Sequence, residues 1–230
     1  RNASNATYIN SGHIVFLRDS DLWAVPFDLE TMTIVGSQVP VINGVETNSQ
    51  YGHATYTVSD NGQLFYLAGT DGGGSIDSGM LTWADFDGER AEIEVDAGSF
   101  SNINFSPDET RLAFTSTDDQ GGTDIFMWDL TRKTLSRRTF DGISTNPIWS
   151  VDGTRLIYSN KEEGIKSVAA NGSDQPSVLF ETNSVARPYS IAPSGEVLFD
   201  MGSPPRIYLF DPSANSDSEA EMLAEEIDLG

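Results

Sequence analysis

Phe105-Ser106-Pro107-Asp108-Glu109-Thr110-Arg111-Leu112-Ala113-Phe114 and Trp149-Ser150-Val151-Asp152-Gly153-Thr154-Arg155-Leu156-Ile157-Tyr158 are two copies of one pattern. An aromatic closes an apolar run, a Ser opens a short turn rich in Asp and Gly, and a second alternating apolar run begins at Arg-Leu. Turn residues between two such runs read as a β-hairpin. Looser copies stand at Thr57-Val58-Ser59-Asp60-Asn61-Gly62 and Ser190-Ile191-Ala192-Pro193-Ser194-Gly195, with a fainter one at Tyr8-Ile9-Asn10-Ser11-Gly12. The turn positions Gly12, Gly62, Glu109, Gly153 and Gly195 are spaced 50, 47, 44 and 42 residues apart. Self-similarity at roughly 40 to 50 residues is the period of a propeller blade.

Each copy continues alike. After the turn comes an alternating strand (13–17, 63–67, 111–115, 155–159, 196–200), then a loop of variable length. A third strand follows, at 21–25, 81–85, 124–129, 164–168 and 206–211. Asp87-Gly88 and Asn171-Gly172, both favoured hairpin dipeptides, precede a weaker fourth strand. Period-2 alternation with β-branched and aromatic enrichment predicts an all-β chain of four-stranded antiparallel units. Sheets of this kind escape long exposed edges by packing radially, so the reading is a β-propeller with five blades. The expected arrangement is a single domain over 1–230, with blades near 1–45, 46–98, 99–142, 143–184 and 185–230. Five blades can form a whole ring or part of a six-bladed or larger one. An incomplete ring would leave edges that favour pairing of chains into a homo-oligomer. Residues 215–230, acidic and without a basic residue, read either as the last blade's fourth strand or as a solvated tail.

The chain has 230 residues, 38% of them hydrophobic, which is enough to build a core. Thirteen Lys and Arg face 35 Asp and Glu, a formal charge of −22. Such a surface repels phosphate, which excludes nucleic acid and anionic membranes as partners and leaves proteins or small neutral or cationic ligands. No apolar run reaches the roughly 18 residues of a membrane span, so no direct insertion is expected. The chain lacks an initiator Met, the expectation being processing or excision from a longer protein. With no cysteine, thiolate metal sites, disulfides and cysteine nucleophiles are excluded.

Catalytic constellations are absent from the sequence. No Gly-x-Ser-x-Gly elbow occurs, and Gly72-Gly73-Gly74 lacks the Gly-Lys-Ser/Thr of a phosphate loop. Two isolated histidines, His13 and His53, do not make a zinc site. Calcium, which takes six to eight oxygens, has two candidate places, Asp118, Asp119 and Asp124 on a Gly-bearing loop and the pair Asp71 and Asp77, with a solvated acidic loop as the alternative. The chain is therefore read as a non-enzyme with no required cofactor. Because successive turns of an antiparallel blade alternate between its ends, the second-to-third strand loops and the blade crossings share one end. There the innermost strands bring Tyr51, His53, Asn102, Asn104, Asn146, Arg187 and Tyr189 to the mouth of a central channel, as a candidate surface for a ligand or partner peptide. Ordinary blade-to-blade hydrogen bonding is the alternative for the same side chains. The basic group Arg132, Lys133, Arg137 and Arg138 lies towards the opposite end and is expected to pair with neighbouring carboxylates.

The 105–114 and 149–158 segments, with Asp124-Ile125-Phe126-Met127-Trp128-Asp129 and Arg138-Thr139-Phe140, resemble the blade motif of TolB-like propellers. The motif covers about four of the five repeats. The fourth departs from it by ending its third strand at Ala169-Ala170, without an acid. A narrower stretch is similar to the extracytoplasmic C-terminal propeller of bacterial transmembrane Ser/Thr protein kinases. It comprises Gly12-His13-Ile14-Val15-Phe16-Leu17-Arg18-Asp19, Leu22-Trp23-Ala24-Val25-Pro26-Phe27-Asp28, Gly36 and Val39-Pro40-Val41. No kinase catalytic loop is present. The resemblance implies a periplasmic or otherwise extracytoplasmic module that binds a partner or senses a ligand. The alternative from another class is the non-catalytic propeller of a prolyl-oligopeptidase-type serine peptidase.

Overall fold

The computed structural model describes residues 3–48, 53–59, 63–68, 80–84, 90–92, 99–213 and 220–224. Every regular element among them is a β-strand, and no helix long and apolar enough to cross a membrane occurs. The first sheet holds β1 (Ser4–Ile9), β2 (His13–Arg18), β3 (Asp21–Asp28), β4 (Thr33–Ile34) and β5 (Val39–Ile42). A small ladder joins β6 (Thr47–Asn48) to β7 (His53–Ala54). The second sheet holds β8 (Tyr56–Val58), β9 (Leu64–Ala68), β10 (Met80–Ala84) and β11 (Arg90–Glu92). The third holds β12 (Ser99–Phe105), β13 (Arg111–Thr117), β14 (Thr123–Asp129) and β15 (Thr134–Arg137). The fourth holds β16 (Ser144–Trp149), β17 (Arg155–Asn160), β18 (Gly164–Ala169) and β19 (Ser177–Glu181). The last holds β20 (Ala186–Ile191), β21 (Val197–Met201), β22 (Arg206–Phe210) and β23 (Glu221–Ala224). All pair antiparallel, and in chain order except that β5 pairs with β3. This is the β-propeller class with five blades.

In the first blade the fourth strand is split. Both β4 and β5 pair with β3, β4 at Phe27 and Asp28 and β5 at Leu22 to Ala24. Gly36 lies between them, where a Cβ would come within 2.8 Å of the Pro26 ring, so a side chain there would force the two pieces apart. Weak fourth strands are general: β11 has three residues and β15 four.

Contacts divide the chain into two compact units, Arg1–Phe100 and Ser101–Gly230. In the first, Val15, Leu17, Leu22 and Ala24 pack with Ile42, Val45, Ala54, Leu64 and Tyr66. Asn5 Nδ2 donates to Ala54 O at 2.9 Å, joining the first sheet to β7.

In the second unit the logic of the blades is plain in β17. Leu156 and Tyr158 pack with Ala113, Ile125, Met127 and Trp149, whereas Ile157, between them in sequence, packs with Ala186, Val197, Phe199 and Phe210. A strand's successive side chains face opposite ways, so a continuous apolar run means burial on both faces. Trp149 is buried between the third and fourth sheets. Its indole Nε1 donates to Asn104 O at 3.1 Å, and the Arg111 guanidinium lies 4.7 Å over its ring.

The Ser-x-Asp turns explain themselves chemically. Ser106 Oγ donates to Asp108 Oδ1 at 2.5 Å and accepts from Arg111 N at 3.0 Å, while Thr110 Oγ1 donates to Asp108 at 2.9 Å. Ser150, Asp152, Thr154 and Arg155 repeat the network, with bonds of 2.6, 3.0 and 2.8 Å. Glu109 and Gly153 occupy the left-handed position, at φ 56° and 66°. Donors converging on the carboxylates, led by the Ser hydroxyl in each turn, lower the pKa of Asp108 and of Asp152 from 3.8 to about 2. Because the folded value lies below the unfolded one, this stabilisation is present above about pH 4 and fades as the pH falls towards 2. Urea midpoints measured from pH 6 to 2 should therefore show the D108N/D152N double variant less stable than wild type at pH 5, the two curves converging near pH 2. Parallel curves would contradict this reading.

Candidate functional site

The last blade carries Arg187 and Tyr189 on its first strand, β20. Arg187 and Asp200 are directly opposed in the β20–β21 ladder, and the register slips between Pro188 and Ser190, leaving Tyr189 as the extra residue. Bulges of this kind re-aim side chains. Here Tyr189 Oη donates to Asp200 Oδ2 at 2.9 Å and Arg187 Nη1 donates to Oδ1 at 3.4 Å. Asp200 is buried, whereas Tyr189 keeps 54% of its surface exposed and Arg187 stands half-buried beside it. An aromatic face and a guanidinium are thus presented outward on a buried carboxylate, which orients both. Burial, then the bond to Asp200, push the Tyr189 hydroxyl up to about 12.

Asn102 and Asn146 both lie on inner strands in left-handed conformation, at φ 52° and 54°. Asn tolerates this region better than most residues. Asn102 is exposed and its carbonyl accepts from Asn104 Nδ2 at 3.3 Å. Asn104 Nδ2 also donates to Pro147 O at 2.9 Å, so this side chain ties β12 to β16. Asn146 N donates to Thr115 Oγ1 at 3.1 Å. Of the sequence candidates, Arg187 and Tyr189 meet on one group, and Asn102 and Asn104 meet at the third blade. Tyr51 lies outside the described residues. His53 pairs through its backbone with Asn48, its side chain also lying outside them.

Asp118, Asp119 and Asp124 do not converge on one point. Asp118 Oδ1 closes its own loop, accepting from Gln120 N at 2.9 Å and Gly122 N at 2.8 Å. Asp124 turns inward, accepting from Thr139 Oγ1 at 2.7 Å and Asp141 N at 3.2 Å and pairing with Arg137. Among the described residues no group of three or more His, Asp or Glu side chains forms a metal cradle. In this loop Asp118 is therefore taken up by its own backbone amides and Asp124 by Thr139, Asp141 N and Arg137. Asp71 and Asp77 lie outside the described residues.

The loop end around these acids is firmly built. Asp141, in the crossing from the third blade to the fourth, accepts from Ser144 Oγ at 2.9 Å and from Asn160 Nδ2 at 3.0 Å, and Asn160 caps 161–163 through Glu162 N and Glu163 N. Near it Tyr158 is buried, and among the described residues its hydroxyl has no partner. Burial first, then Asp141, Glu163 and Asp124, raise that hydroxyl's pKa far above its ordinary value.

No protein-family model matches the sequence. A stretch of 87 residues is 35% identical to the Tol-Pal system protein TolB of Alcanivorax borkumensis, covering 37% of this chain and 20% of that protein. The chain therefore spans only a fifth of this curated relative in the matched region. Among solved structures, a protein described as a TolB from Agrobacterium tumefaciens superposes with a TM-score of 0.74 at 16% identity, over 97% of this chain and 80% of that one. A prolyl endopeptidase superposes at 0.62 and 15% identity, over 98% of this chain but 36% of its own. At these identities the likeness establishes the propeller fold and leaves the site to be argued from its residues.

Asp200 is the residue the sequence reading missed. Its signal was its place in the repeat: the aligned positions in the third and fourth blades are Thr115 and Ser159, small buried hydroxyls. A carboxylate there needs partners, and Arg187 and Tyr189 supply them. In the D200N variant the Tyr189 phenol should titrate at lower pH than in wild type, though still above 10 because burial persists. Ultraviolet titration against a Y189F blank reads this, and an unchanged midpoint would remove Asp200 as a cause.

Proposed function

We propose that the chain is a non-catalytic binding module of the TolB-like propeller kind, working outside the cytoplasm and recognising a protein segment or small ligand at the loop end of its blades. The observation that carries this reading is the exposed Tyr189 and Arg187 pair seated on buried Asp200. Tyr and Arg are favoured at contact surfaces because a rigid aromatic face and a forked cation bind without much loss of rotamer freedom. The likeness to a Tol-Pal system protein supports a protein partner. In the same reading Asn102, Asn104 and Asn146 line the neighbouring inner strands, with Tyr51 and His53 as further members, and 1–230 acts as one propeller domain. The charge of −22 favours a partner segment that is neutral or basic. Sensing on behalf of an attached kinase is a finer version, resting on the first-blade resemblance alone.

The peptidase-propeller reading is supported by the prolyl endopeptidase superposition, whose share of that protein is 36%. A Gly-x-Ser-x-Gly segment in the parent reading frame would favour it.

A photo-crosslinking residue placed at Tyr189 should give a discrete adduct with a component of the cell envelope. The adduct should weaken at least several-fold in R187A. The same crosslinker at exposed Val178, on the outer strand β19, should give none. Equal labelling from both positions, or none from Tyr189, would overturn the proposal.

A further inference from the structure

Adjacent residues Arg137 and Arg138 have opposite fates. Arg137 pairs with Asp124, gives Nε to Thr139 O at 2.8 Å and lies 4.9 Å over the Phe140 ring. Arg138 faces the other way, into the seam between the third and fourth sheets. Its Nε is buried without a partner, and among the described residues its side chain makes no hydrogen bond, ion pair or ring contact. In a chain with 35 acids for 13 bases an unpaired, half-buried guanidinium is conspicuous. Arg132, four-fifths exposed, has found Asp129.

The surroundings of Arg138 are specific. The 170–173 turn passes directly against it: a Cβ at Gly172 would lie 3.1 Å from Nη1. Gly172 therefore keeps the approach open. Arg111 supplies the second positive charge. Its guanidinium is fixed over Trp149, donates Nη2 to Gly153 O at 3.0 Å and reaches the exposed Asp108 carboxylate at 3.4 Å. Gly153 and Gly172 belong to the two hairpin turns at the same end of the fourth blade, so both arginines of the third blade reach towards one edge of it. Burial, then the charge of Arg111, lower the pKa of Arg138. A forked guanidinium with unused donors is suited to bidentate oxyanions.

We propose that Arg138, with Arg111 beside it, is an oxyanion-binding site at the hairpin-turn end of the third and fourth blades, taking a carboxylate or a sulfate- or phosphate-type group. The site lies at the end of the blades opposite to the Tyr189 surface and is independent of the reading given above. Its sources differ: an acidic side chain or chain terminus of a partner, or a free inorganic anion.

The test is a titration of the full chain with sodium sulfate against sodium chloride at matched ionic strength, following the amide resonances of Gly153 and Gly172. Wild type should show saturable, sulfate-specific shifts. Arg138→Gln should weaken binding roughly tenfold or more, Arg138→Lys should keep part of it, and Arg132→Gln should leave it unchanged. N-acetylglutamate as a competitor separates the sources. Displacement of sulfate supports a carboxylate ligand, and failure to displace it supports a tetrahedral inorganic anion. Linear, unsaturable shifts equal in all four proteins would overturn the site. Amide spectra of each variant confirm that it is folded, and Arg138→Lys carries the test if Arg138→Gln is not.

Discussion

The wedge of Trp149 between the third and fourth sheets is the contact on which the second unit turns. Its ring is buried, its one donor is satisfied by Asn104 O, and the Arg111 guanidinium lies over its ring. A four-stranded sheet with two apolar faces is not stable alone, since each face left in water costs about 25 cal/mol for every Å² of apolar surface. β17 shows the remedy, with Leu156 and Tyr158 facing one neighbour and Ile157 the other. Phe180, Phe199 and Phe210, with ring centroids 5.0 to 5.5 Å apart, continue the same packing into the last blade. Stability here is a property of sheet pairs, and each pair leaves its loop end and its turn end free for other work.

The two ends are used differently. At the loop end, acids are tied into the frame: Asp124 to Arg137 and Thr139, Asp141 to Ser144 and Asn160, Asp200 to Arg187 and Tyr189. Only the last of these hydrogen-bonds an exposed aromatic side chain directly to a buried carboxylate. At the turn end, serine and threonine hydroxyls converge on Asp108 and Asp152, which makes those turns rigid while drawing little on the core. Arg138 is the exception there, a cation without a partner for its buried Nε among the described residues.

Strand order, repeat length and the Ser-x-Asp turns were legible in the sequence because they rest on local rules: period-2 alternation and side-chain to backbone bonds over five residues or fewer. Asn104 was legible only as a candidate, and its bond to Pro147 O shows the blade-to-blade role weighed for it at the outset. Asp200 was not legible from alternation, which reads such an acid as solvent-facing until the register with Arg187 is known, and only its repeat position shared with Thr115 and Ser159 pointed inward. Nor were the separate fates of Arg137 and Arg138, which depend on which face of β15 meets the fourth sheet. At the acidic loop 118–124 the same limit holds in reverse. Its carboxylates are close in sequence, but hydrogen bonding sends Asp118 into its own loop and Asp124 into the interior.

Amide hydrogen exchange on a Trp149→Phe variant tests most directly whether the blades stand on one another. Loss of the indole donor and of part of the seam contact should lower protection in β13 and β14 of the third sheet and in β17 and β18 of the fourth together. Protection lost in the fourth sheet alone, with the third unchanged, would contradict the view that each blade is stabilised through its neighbour.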